Sequence, residues 1–204
     1  MADQDKELEV KYYIADLPAL EARLKSLGAN LEQPRVHEMN LRFDRDDGEL
    51  RRNAKVLRLR KDTEARLTFK GPSEMKDGAR LRQEIEFVVS DFQAAWRLFD
   101  ALGYRVALMY EKYRTTYKLD EVHVTLDEMP YGDFTELEGP NGESIRAVNQ
   151  KLGLNWNARA PDSYAVLFEQ LKRRLQLPFR DLTFDNFRDI KVVAEELNLR
   201  PADQ

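Results

Sequence analysis

Hydrophobic and polar residues alternate with a period of two along several stretches of this chain, a pattern typical of strands with one buried face. In residues 7–12, three charged residues alternate with Leu8, Val10 and Tyr12. The longest alternation runs from Arg80 to Val89. The pattern predicts eight strands, over residues 7–12, 36–44, 56–60, 66–70, 80–89, 106–117, 122–127 and 134–138.

Apolar residues recur with helical spacing between and after these strands. Asp16 and Asp91 are predicted helix N-caps, and Gly28 and Gly103 are the matching stops. Each of these helices follows one strand and precedes three others, so the pattern predicts two similar halves of four strands. Beyond Gly139 the chain is predicted to be helical, with apolar stripes over residues 145–152, 164–171 and 190–197.

The expected fold is therefore α+β: a closed, eight-stranded antiparallel β-barrel with helices packed outside and a helical C-terminal extension. No linker rich in Gly, Ser or Pro divides the chain. Residues 1–175 are predicted to form the barrel domain. Residues 176–204 are predicted to be a helical extension packed on the same domain, as a lid, a helical cover or a dimer contact.

The composition excludes several classes of function. Lys+Arg 33 and Asp+Glu 37 give a net charge of -4, which does not favour nucleic-acid binding. The chain has no cysteine, and its two histidines lack zinc-site spacing. No apolar run approaches the length of about 18 residues that a membrane span requires. We expect a cytoplasmic protein that binds neither membranes nor nucleic acid.

One face of the predicted strands carries a full charge at nearly every position. The wet face of an ordinary antiparallel sheet is one explanation, since such faces also carry mixed charges. The Glu-x-Glu pattern nevertheless occurs three times, and like charges two residues apart repel unless a cation binds them. The seven cations are Lys11, Arg58, Arg60, Lys70, Arg82, Lys112 and Arg114, and the seven carboxylates are Glu7, Glu9, Glu84, Glu86, Asp127, Glu136 and Glu138.

If helices cover the apolar face of the sheet, these charges line the bore of the barrel. Carboxylates are the preferred ligands of hard cations such as Mg²⁺ and Mn²⁺. Arg and Lys bind phosphate oxygens through charge-assisted hydrogen bonds. The pattern favours a bore that binds a polyphosphate together with divalent metal ions.

Seven segments of the charged strands occur at residues 7–11, 57–60, 68–70, 82–86, 111–114, 125–127 and 136–138. In this order they resemble the signature of the CYTH family, the triphosphate tunnel metalloenzymes, which include class IV adenylate cyclases and thiamine triphosphatases. The resemblance implies an eight-stranded antiparallel tunnel, a requirement for Mg²⁺ or Mn²⁺, and a substrate that contains a triphosphate.

The same resemblance implies roles for the charged residues. The implied metal ligands are Glu7, Glu9, Glu136 and Glu138, assisted by Asp127, Glu84 and Glu86. The implied triphosphate clamp is Lys11, Arg58, Arg60, Lys70, Arg82, Lys112 and Arg114. The residues expected to contribute most to catalysis are Lys11, Glu7, Glu9 and Arg60.

Three functions agree with this interpretation. A triphosphatase would hydrolyse inorganic triphosphate, ATP or thiamine triphosphate, whereas a class IV adenylate cyclase would convert ATP to cyclic AMP and pyrophosphate. A non-catalytic polyphosphate- or nucleotide-binding module would need fewer acids in the bore. Residues 129–133 lack the Gly-Leu-Gly often present there in cyclases, and Trp96 is predicted to pack in the core rather than against a base. We therefore favour the triphosphatase.

Outside the charged strands, Ser163 and Tyr164 resemble a short segment that helps to close the tunnel in cyclase-like members of the family. A helix start with Ser163 as its cap explains the same residues equally well. The apolar outer sheet and the C-terminal helices also leave room for a homodimer.

Overall fold

The computed structural model describes residues 6–204. Its eight strands are β1 Lys6–Ile14, β2 Asn30–Asp44, β3 Val56–Lys61, β4 Ala65–Lys76, β5 Ala79–Val89, β6 Arg105–Leu119, β7 Val122–Met129 and β8 Gly132–Glu138. Its α-helices are α1 Leu17–Ser26, α2 Glu49–Arg52, α3 Phe92–Ala101, α4 Gly142–Leu152 and α5 Tyr164–Leu175. Two 3₁₀ helices span Trp156–Ala158 and Ala194–Leu197.

The strands close into a ring in the order β1-β5-β4-β3-β2-β6-β7-β8, and every neighbouring pair is antiparallel. This confirms the predicted eight-stranded antiparallel barrel. In chain order the two halves are β1–β4 and β5–β8. Each gives its first strand to the other half, since β1 pairs with β8 of the meander β6-β7-β8 and β5 pairs with β4 of the meander β2-β3-β4. Helices α1 and α3 make the corresponding crossovers from β1 to β2 and from β5 to β6.

The helices outside the barrel begin where capping residues satisfy their first amides. Asp16 accepts a hydrogen bond from Ala19 N at 2.9 Å, and Asp91 accepts one from Ala94 N at the same distance. Helices α1 and α4 share one core cluster with β1, β7 and β8. Helix α3 places Phe92 and Phe99 in a second cluster with residues of β2 and β3.

Part of the outer sheet has no helix over it. Ile85 and Phe87 of β5 were predicted to lie beneath a helix, but they are 40% and 53% exposed. Trp96 was predicted to pack in the core and is instead exposed, with an edge contact to Phe92. Both differences arise because α3 presents a narrow stripe, in which only Phe92 and Phe99 are buried.

Two strands are longer than their alternation predicts. The pattern starts β2 at Val36, whereas the strand begins at Asn30 and passes two register shifts before Val36. The pattern ends the fourth strand at Lys70, whereas β4 continues to Lys76. The pairing of β4 with β5 continues past Pro72 because the register shifts between Lys70 and Ser73, which leaves Pro72 out of the ladder.

The chain beyond α5 packs on the barrel, although little of it is helical. Leu182 donates a backbone hydrogen bond to Met109 O and accepts one from Glu111 N, both at 2.9 Å. Ala202 N donates to Tyr13 O at 3.0 Å. Of the helix predicted over residues 190–197, only the 3₁₀ turn Ala194–Leu197 forms, since the β-branched pair before it disfavours a helix.

None of the helices in residues 6–204 could span a membrane.

Candidate active site

The interior of the barrel contains a cavity of about 530 Å³, within the range of about 300–1,000 Å³ that is usual for ligand sites. All eight strands contribute side chains to its wall, and α5 contributes Tyr164 and Ala165. Ten Lys or Arg side chains and seven Glu side chains line it, an excess of three positive charges. The predicted charged bore is therefore present and is net basic.

Three carboxylates lie together where β1 meets β8: Glu7 and Glu9 are buried, and Glu138 stands at the more exposed end of β8. Glu9 is directly opposite Glu138 in the register of the two strands, and Glu7 faces the same bore two residues before Glu9. Burial raises the pKa of Glu7 to about 7, with Lys70 opposing the shift. Burial and repulsion from Glu7 and Glu9 raise the pKa of Glu138 to about 7. Burial and repulsion from Glu136 and Glu7 also raise the pKa of Glu9.

Lysines hold the neighbouring carboxylates in ion pairs. Lys70 Nζ lies 2.7 Å from Glu7 and 2.8 Å from Glu84. Lys11 Nζ lies 3.2 Å from Glu136, which also accepts a hydrogen bond of 2.6 Å from Arg114. Burial would raise the pKa of Glu136, but attraction from Lys11 and Arg114 holds it well below its ordinary value.

Asp127 is fully buried and lies behind the cavity wall rather than on it. Its oxygens accept hydrogen bonds from Lys112 at 3.1 Å, Arg114 at 2.6 Å and Tyr164 at 2.7 Å. These three donors come from β6 and α5. Asp127 therefore links Lys112 and Arg114, two cations of the bore, to α5 through Tyr164.

Glu38 on β2 is a second buried acid among cations. It lies 3.6 Å from Lys112 and 3.6 Å from Arg60, and only 1% of its side chain is exposed. Burial would raise its pKa, but attraction from Lys112, Arg114, Arg60 and Arg58 lowers it to about 2. Glu38 therefore stays ionised and offsets part of the positive charge around it.

Arg58 and Arg60 lie side by side on β3 and share one acid. Each has a guanidinium nitrogen 3.2 Å from Glu86, whose carboxylate also accepts a hydrogen bond of 2.7 Å from Thr68. Glu86 lies at an exposed position of β5, so this side of the bore is open to water.

Two arginines of the bore have no acidic partner within 4 Å in the described part of the chain. Arg42 makes no ion pair there, and burial together with repulsion from Arg58 and Arg82 lowers its pKa. Arg82 donates to Gly71 O at 2.8 Å, and burial lowers its pKa as well. Buried cations without counter-charges are costly, so an anionic ligand would stabilise this part of the wall.

The start of α5 closes part of one end of the bore. Inward-facing Phe134 and Leu108 pack there with residues of α5. Tyr164 places its ring 3.9 Å from Lys11 Nζ. Ser163 lines the cavity and also caps α5, accepting a hydrogen bond from Val166 N at 3.4 Å. The predicted cap is confirmed, and the tunnel-closing role that the resemblance implies stays a prediction.

The chemistry of the three acids where β1 meets β8 fits a hard metal ion, although no three acidic or histidine side chains in residues 6–204 are spaced for one. The spacing is absent because Glu7 is turned toward Lys70 and Glu136 toward Lys11. Glu7, Glu9 and Glu138 are nevertheless carboxylate donors that face one bore and repel each other. A divalent cation among them would relieve that repulsion.

Comparisons with known proteins agree with this architecture. A family model described as the CYTH domain matches residues 5–152 of the chain. The chain belongs to the CYTH family. A Methanocaldococcus jannaschii protein named "putative adenylate cyclase" is 30% identical over 147 residues, which are 71% of this chain and 81% of that protein.

Solved structures share the CYTH fold of this chain. A "putative adenylate cyclase" from Vibrio parahaemolyticus matches with a TM-score of 0.72 and 22% identity, over 80% of this chain and 97% of that one. A "putative adenylyl cyclase" from Hippeastrum, described as having a dominant triphosphatase activity, matches with a TM-score of 0.61 and 18% identity, over 80% and 95% of the two chains.

Most of the charged residues predicted from the sequence reach the CYTH tunnel. All seven cations and six of the seven carboxylates line it, and Asp127 is the exception. Their roles in binding metal and phosphate stay predictions. The residues missed from the sequence are Glu38, Arg42, Arg66, Arg80 and Tyr110. The two-residue period of β2, β4 and β5 would have assigned the four charged ones to the bore.

Proposed function

We propose that this CYTH protein is a metal-dependent triphosphatase that hydrolyses the terminal phosphate of inorganic triphosphate, ATP or thiamine triphosphate. The observation that carries the proposal is the division of charge inside one bore. Arg42 and Arg82 lack acidic partners among residues 6–204, whereas Glu7, Glu9 and Glu138 crowd together elsewhere on the wall. The first group requires an anion and the second a cation, and a metal–triphosphate complex supplies both.

In this proposal, Glu7, Glu9 and Glu138 hold Mg²⁺ or Mn²⁺, with Glu136, Glu84 and Glu86 nearby. When bound, the metal neutralises charge on the phosphate oxygens. Asp127 is better suited to orienting Lys112 and Arg114 than to holding metal, because its oxygens already accept hydrogen bonds from these cations and from Tyr164. Asp127 does not line the cavity, which supports the same role.

The clamp on the triphosphate would consist of the cations that line the bore. Each charge-assisted hydrogen bond to a phosphate oxygen contributes about 1.5–3 kcal/mol, so several together orient the chain of phosphates for attack by water. Lys11 and Arg60 lie in ion pairs with Glu136 and Glu86, which hold them in place before the substrate arrives. Fixed positive charge of this kind stabilises the phosphoryl group as it is transferred.

The adenylate cyclase reaction is the second candidate, because the similar Methanocaldococcus jannaschii protein carries that name. The cavity wall argues for hydrolysis instead. Among the described residues, Val56 and Ala165 are the only aliphatic side chains that line it. Tyr110 is buried with its hydroxyl engaged by Arg58, and the Tyr164 ring is covered by Lys11. An adenine requires a flat apolar surface, and this wall offers little of one.

A non-catalytic triphosphate-binding module is the third candidate. Seven acids inside a bore weaken simple anion binding, so their presence favours a metal-dependent reaction. For either function the partner is a small triphosphate-containing molecule. The homodimer expected from the outer sheet stays a prediction.

Incubation of the purified protein with inorganic triphosphate, ATP or thiamine triphosphate, each with Mg²⁺ or Mn²⁺, tests the proposal. Orthophosphate release is the expected result. Cyclic AMP with pyrophosphate would replace the hydrolase by the cyclase, and binding without turnover would exclude both enzymes.

A pair of matched variants tests the metal site. Glu138→Gln removes one proposed ligand, and Glu143→Gln makes the same change at an exposed position of α4. We expect Glu138→Gln to lose metal-dependent turnover by about 100-fold or more without loss of stability, and Glu143→Gln to behave like the wild type. Equal activity in both variants would exclude Glu138 as a ligand.

A further inference from the structure

The barrel has a short seam between β1 and β5. These strands pair only from Lys6 to Glu9 on the β1 side, although β1 continues to Ile14. Beyond Glu9, the free edge of β1 is covered by other parts of the chain: Ala160 N donates to Lys11 O at 2.8 Å, and Arg159 forms a bridge with Tyr12. β5 begins at Ala79, so beyond Glu9 this edge of β1 faces residues 159–160 and not a neighbouring strand.

A second cavity, of about 190 Å³, lies at the seam. Glu9, Lys11 and Arg80 line both this cavity and the main bore, so the two spaces meet at these residues. Its other wall is the segment from Asn157 to Pro161. The volume is below the usual range of about 300–1,000 Å³ for organic ligands, so its size suits a small ion.

The polar side chains at the seam are mostly cationic. Arg80 lies 3.9 Å from Glu9 and also donates to the carbonyl oxygen of Pro161, and so spans the seam from the bore to the outer wall. Arg159 has no acidic partner within 4 Å among residues 6–204. Its guanidinium donates to Trp156 O and lies 4.3 Å from the centre of the Trp156 ring.

We propose that this seam cavity is a binding site for a single phosphate or pyrophosphate ion, held between Arg80 and Arg159. An uncompensated guanidinium on one side and a guanidinium paired mainly with a neutral carbonyl on the other supply charge-assisted donors for phosphate oxygens. Among the described residues, Glu9, Lys11 and Arg80 line both spaces, so an anion that leaves the bore for the seam cavity would pass between these side chains.

The position of the site gives it a role that rests on the proposed triphosphatase. Hydrolysis leaves an orthophosphate and a shorter phosphate in a bore whose cations attract both. A second cationic site beside Lys11 would receive the small product and allow it to leave without passing the remaining ligand. Arg159 is therefore expected to act on product release and not on the chemical step.

Titration of the full-length protein with orthophosphate, without metal or substrate, tests the site directly. The readout is the NMR signal of the Trp156 indole N–H, assigned by Trp156→Phe, and chloride at equal ionic strength corrects for salt. We expect a saturable shift in the wild type, its loss in Arg159→Gln and its retention in Arg159→Lys. The matched control is Arg146→Gln, because Arg146 lies 4.2 Å from the same ring but does not line the cavity.

The outcomes separate this site from the proposed function. A saturable shift that depends on Arg159 supports the site even if no triphosphate is hydrolysed. No shift in the wild type, or a shift lost in Arg146→Gln and kept in Arg159→Gln, would overturn it. If hydrolysis occurs, Arg159→Gln is expected to lower the steady-state rate severalfold and to leave the single-turnover rate unchanged. A single-turnover rate that falls equally would contradict the release role.

Discussion

The phenolic hydroxyl of Tyr164 donates a hydrogen bond of 2.7 Å to Oδ2 of Asp127, which joins the first residue of α5 to strand β7 inside the barrel. Asp127 also accepts hydrogen bonds from Lys112 and Arg114, and the Tyr164 ring lies 3.9 Å from Lys11 Nζ. A residue outside the strands thus contacts or orients three cations of the proposed clamp. The position of α5 and the geometry of the clamp are consequently coupled.

Tyr164→Phe tests this coupling, because it removes the hydroxyl and keeps the ring. We expect a loss of about 1 kcal/mol in the free energy of unfolding, measured by urea denaturation, since one buried hydrogen bond is lost. We also expect a severalfold fall in triphosphate turnover, because Asp127 then loses one of its three donors. Tyr131→Phe is the control: Tyr131 donates to Tyr164 O and does not line the cavity. Equal turnover in wild type and Tyr164→Phe would contradict the coupling.

Arg42→Gln is predicted to change stability and binding in different ways. Arg42 is repelled by Arg58 and Arg82 and has no acidic partner in the described part of the chain. Its loss is therefore expected to leave the free energy of unfolding within about 0.5 kcal/mol of the wild type, or to raise it. Affinity for inorganic triphosphate is expected to fall about 10- to 100-fold, as one charge-assisted hydrogen bond is lost. Calorimetric titration measures the affinity, and unchanged binding would remove Arg42 from the clamp.

Glu38→Gln is predicted to destabilise the barrel by about 3–5 kcal/mol at pH 7, because Lys112 and Arg60 lose a buried counter-charge. The folded-state pKa of about 2 lies below the unfolded value, so Glu38 stabilises the fold above pH 4.5 and loses that effect as the pH falls toward 2. Denaturation curves of variant and wild type should therefore converge in acid. Glu64→Gln, at an exposed turn, is the control.

Asp133→Asn is predicted to raise the free energy of unfolding at neutral and alkaline pH, whereas Glu38→Gln is predicted to lower it. Burial, and repulsion from Glu128, raise the pKa of Asp133 to about 6, so its ionised form is less stable in the folded protein than in the unfolded chain. Wild-type stability is expected to fall from pH 4 to pH 6 on this account, and Asp133→Asn to be more stable at pH 8 by about 1 kcal/mol, after allowance for solvent screening. The groups near Asp133 are Glu128 and Tyr13. Thermal unfolding at pH 4 and pH 8 measures the difference, and a constant gap would contradict the assignment.

Leu182→Ala tests the contact between the C-terminal segment and β6. Leu182 is fully buried among residues of α5 and the barrel, so the truncation is expected to cost about 2–5 kcal/mol. The control is Leu98→Ala, at a side chain of α3 that is 57% exposed. Its free energy of unfolding is expected to stay within about 0.5 kcal/mol of the wild-type value. Equal stabilities of the two variants would show that the segment adds nothing to the barrel.

The strands and their charged faces followed from the sequence because side-chain direction alternates strictly along a strand. The period placed Glu7, Glu9 and Lys11 on one face, and all three line the bore. It failed at residues 30–35, where two register shifts interrupt the alternation of β2. The same alternation, applied along the predicted strand over residues 36–44, would also have found Glu38 and Arg42.

The burial of Asp127 and the coverage of the outer sheet could not be predicted in this way. Whether a polar strand residue lies on the cavity wall or behind it depends on which neighbours reach it, and Tyr164 reaches Asp127 from a helix 37 positions away. Which strands a helix covers depends likewise on how the helix packs. Phe87 is exposed for this reason, although its place in the alternation of β5 matches that of buried residues. The path of residues 176–204 is set by backbone bonds to β6 and β1, for which the sequence carries no periodic signal.

The contact between Ala202 and Tyr13 has a consequence for the order in which the protein matures. The Asp203 carboxylate also accepts hydrogen bonds from the amides of Ala15 and Asp16, so residues translated early receive partners translated nearly two hundred residues later. During synthesis the edge of β1 beyond Glu9 stays without these partners until that late segment leaves the ribosome. An exposed strand edge is a site of non-native pairing, so this part of the β1 edge stays open to misassembly until the last segment arrives.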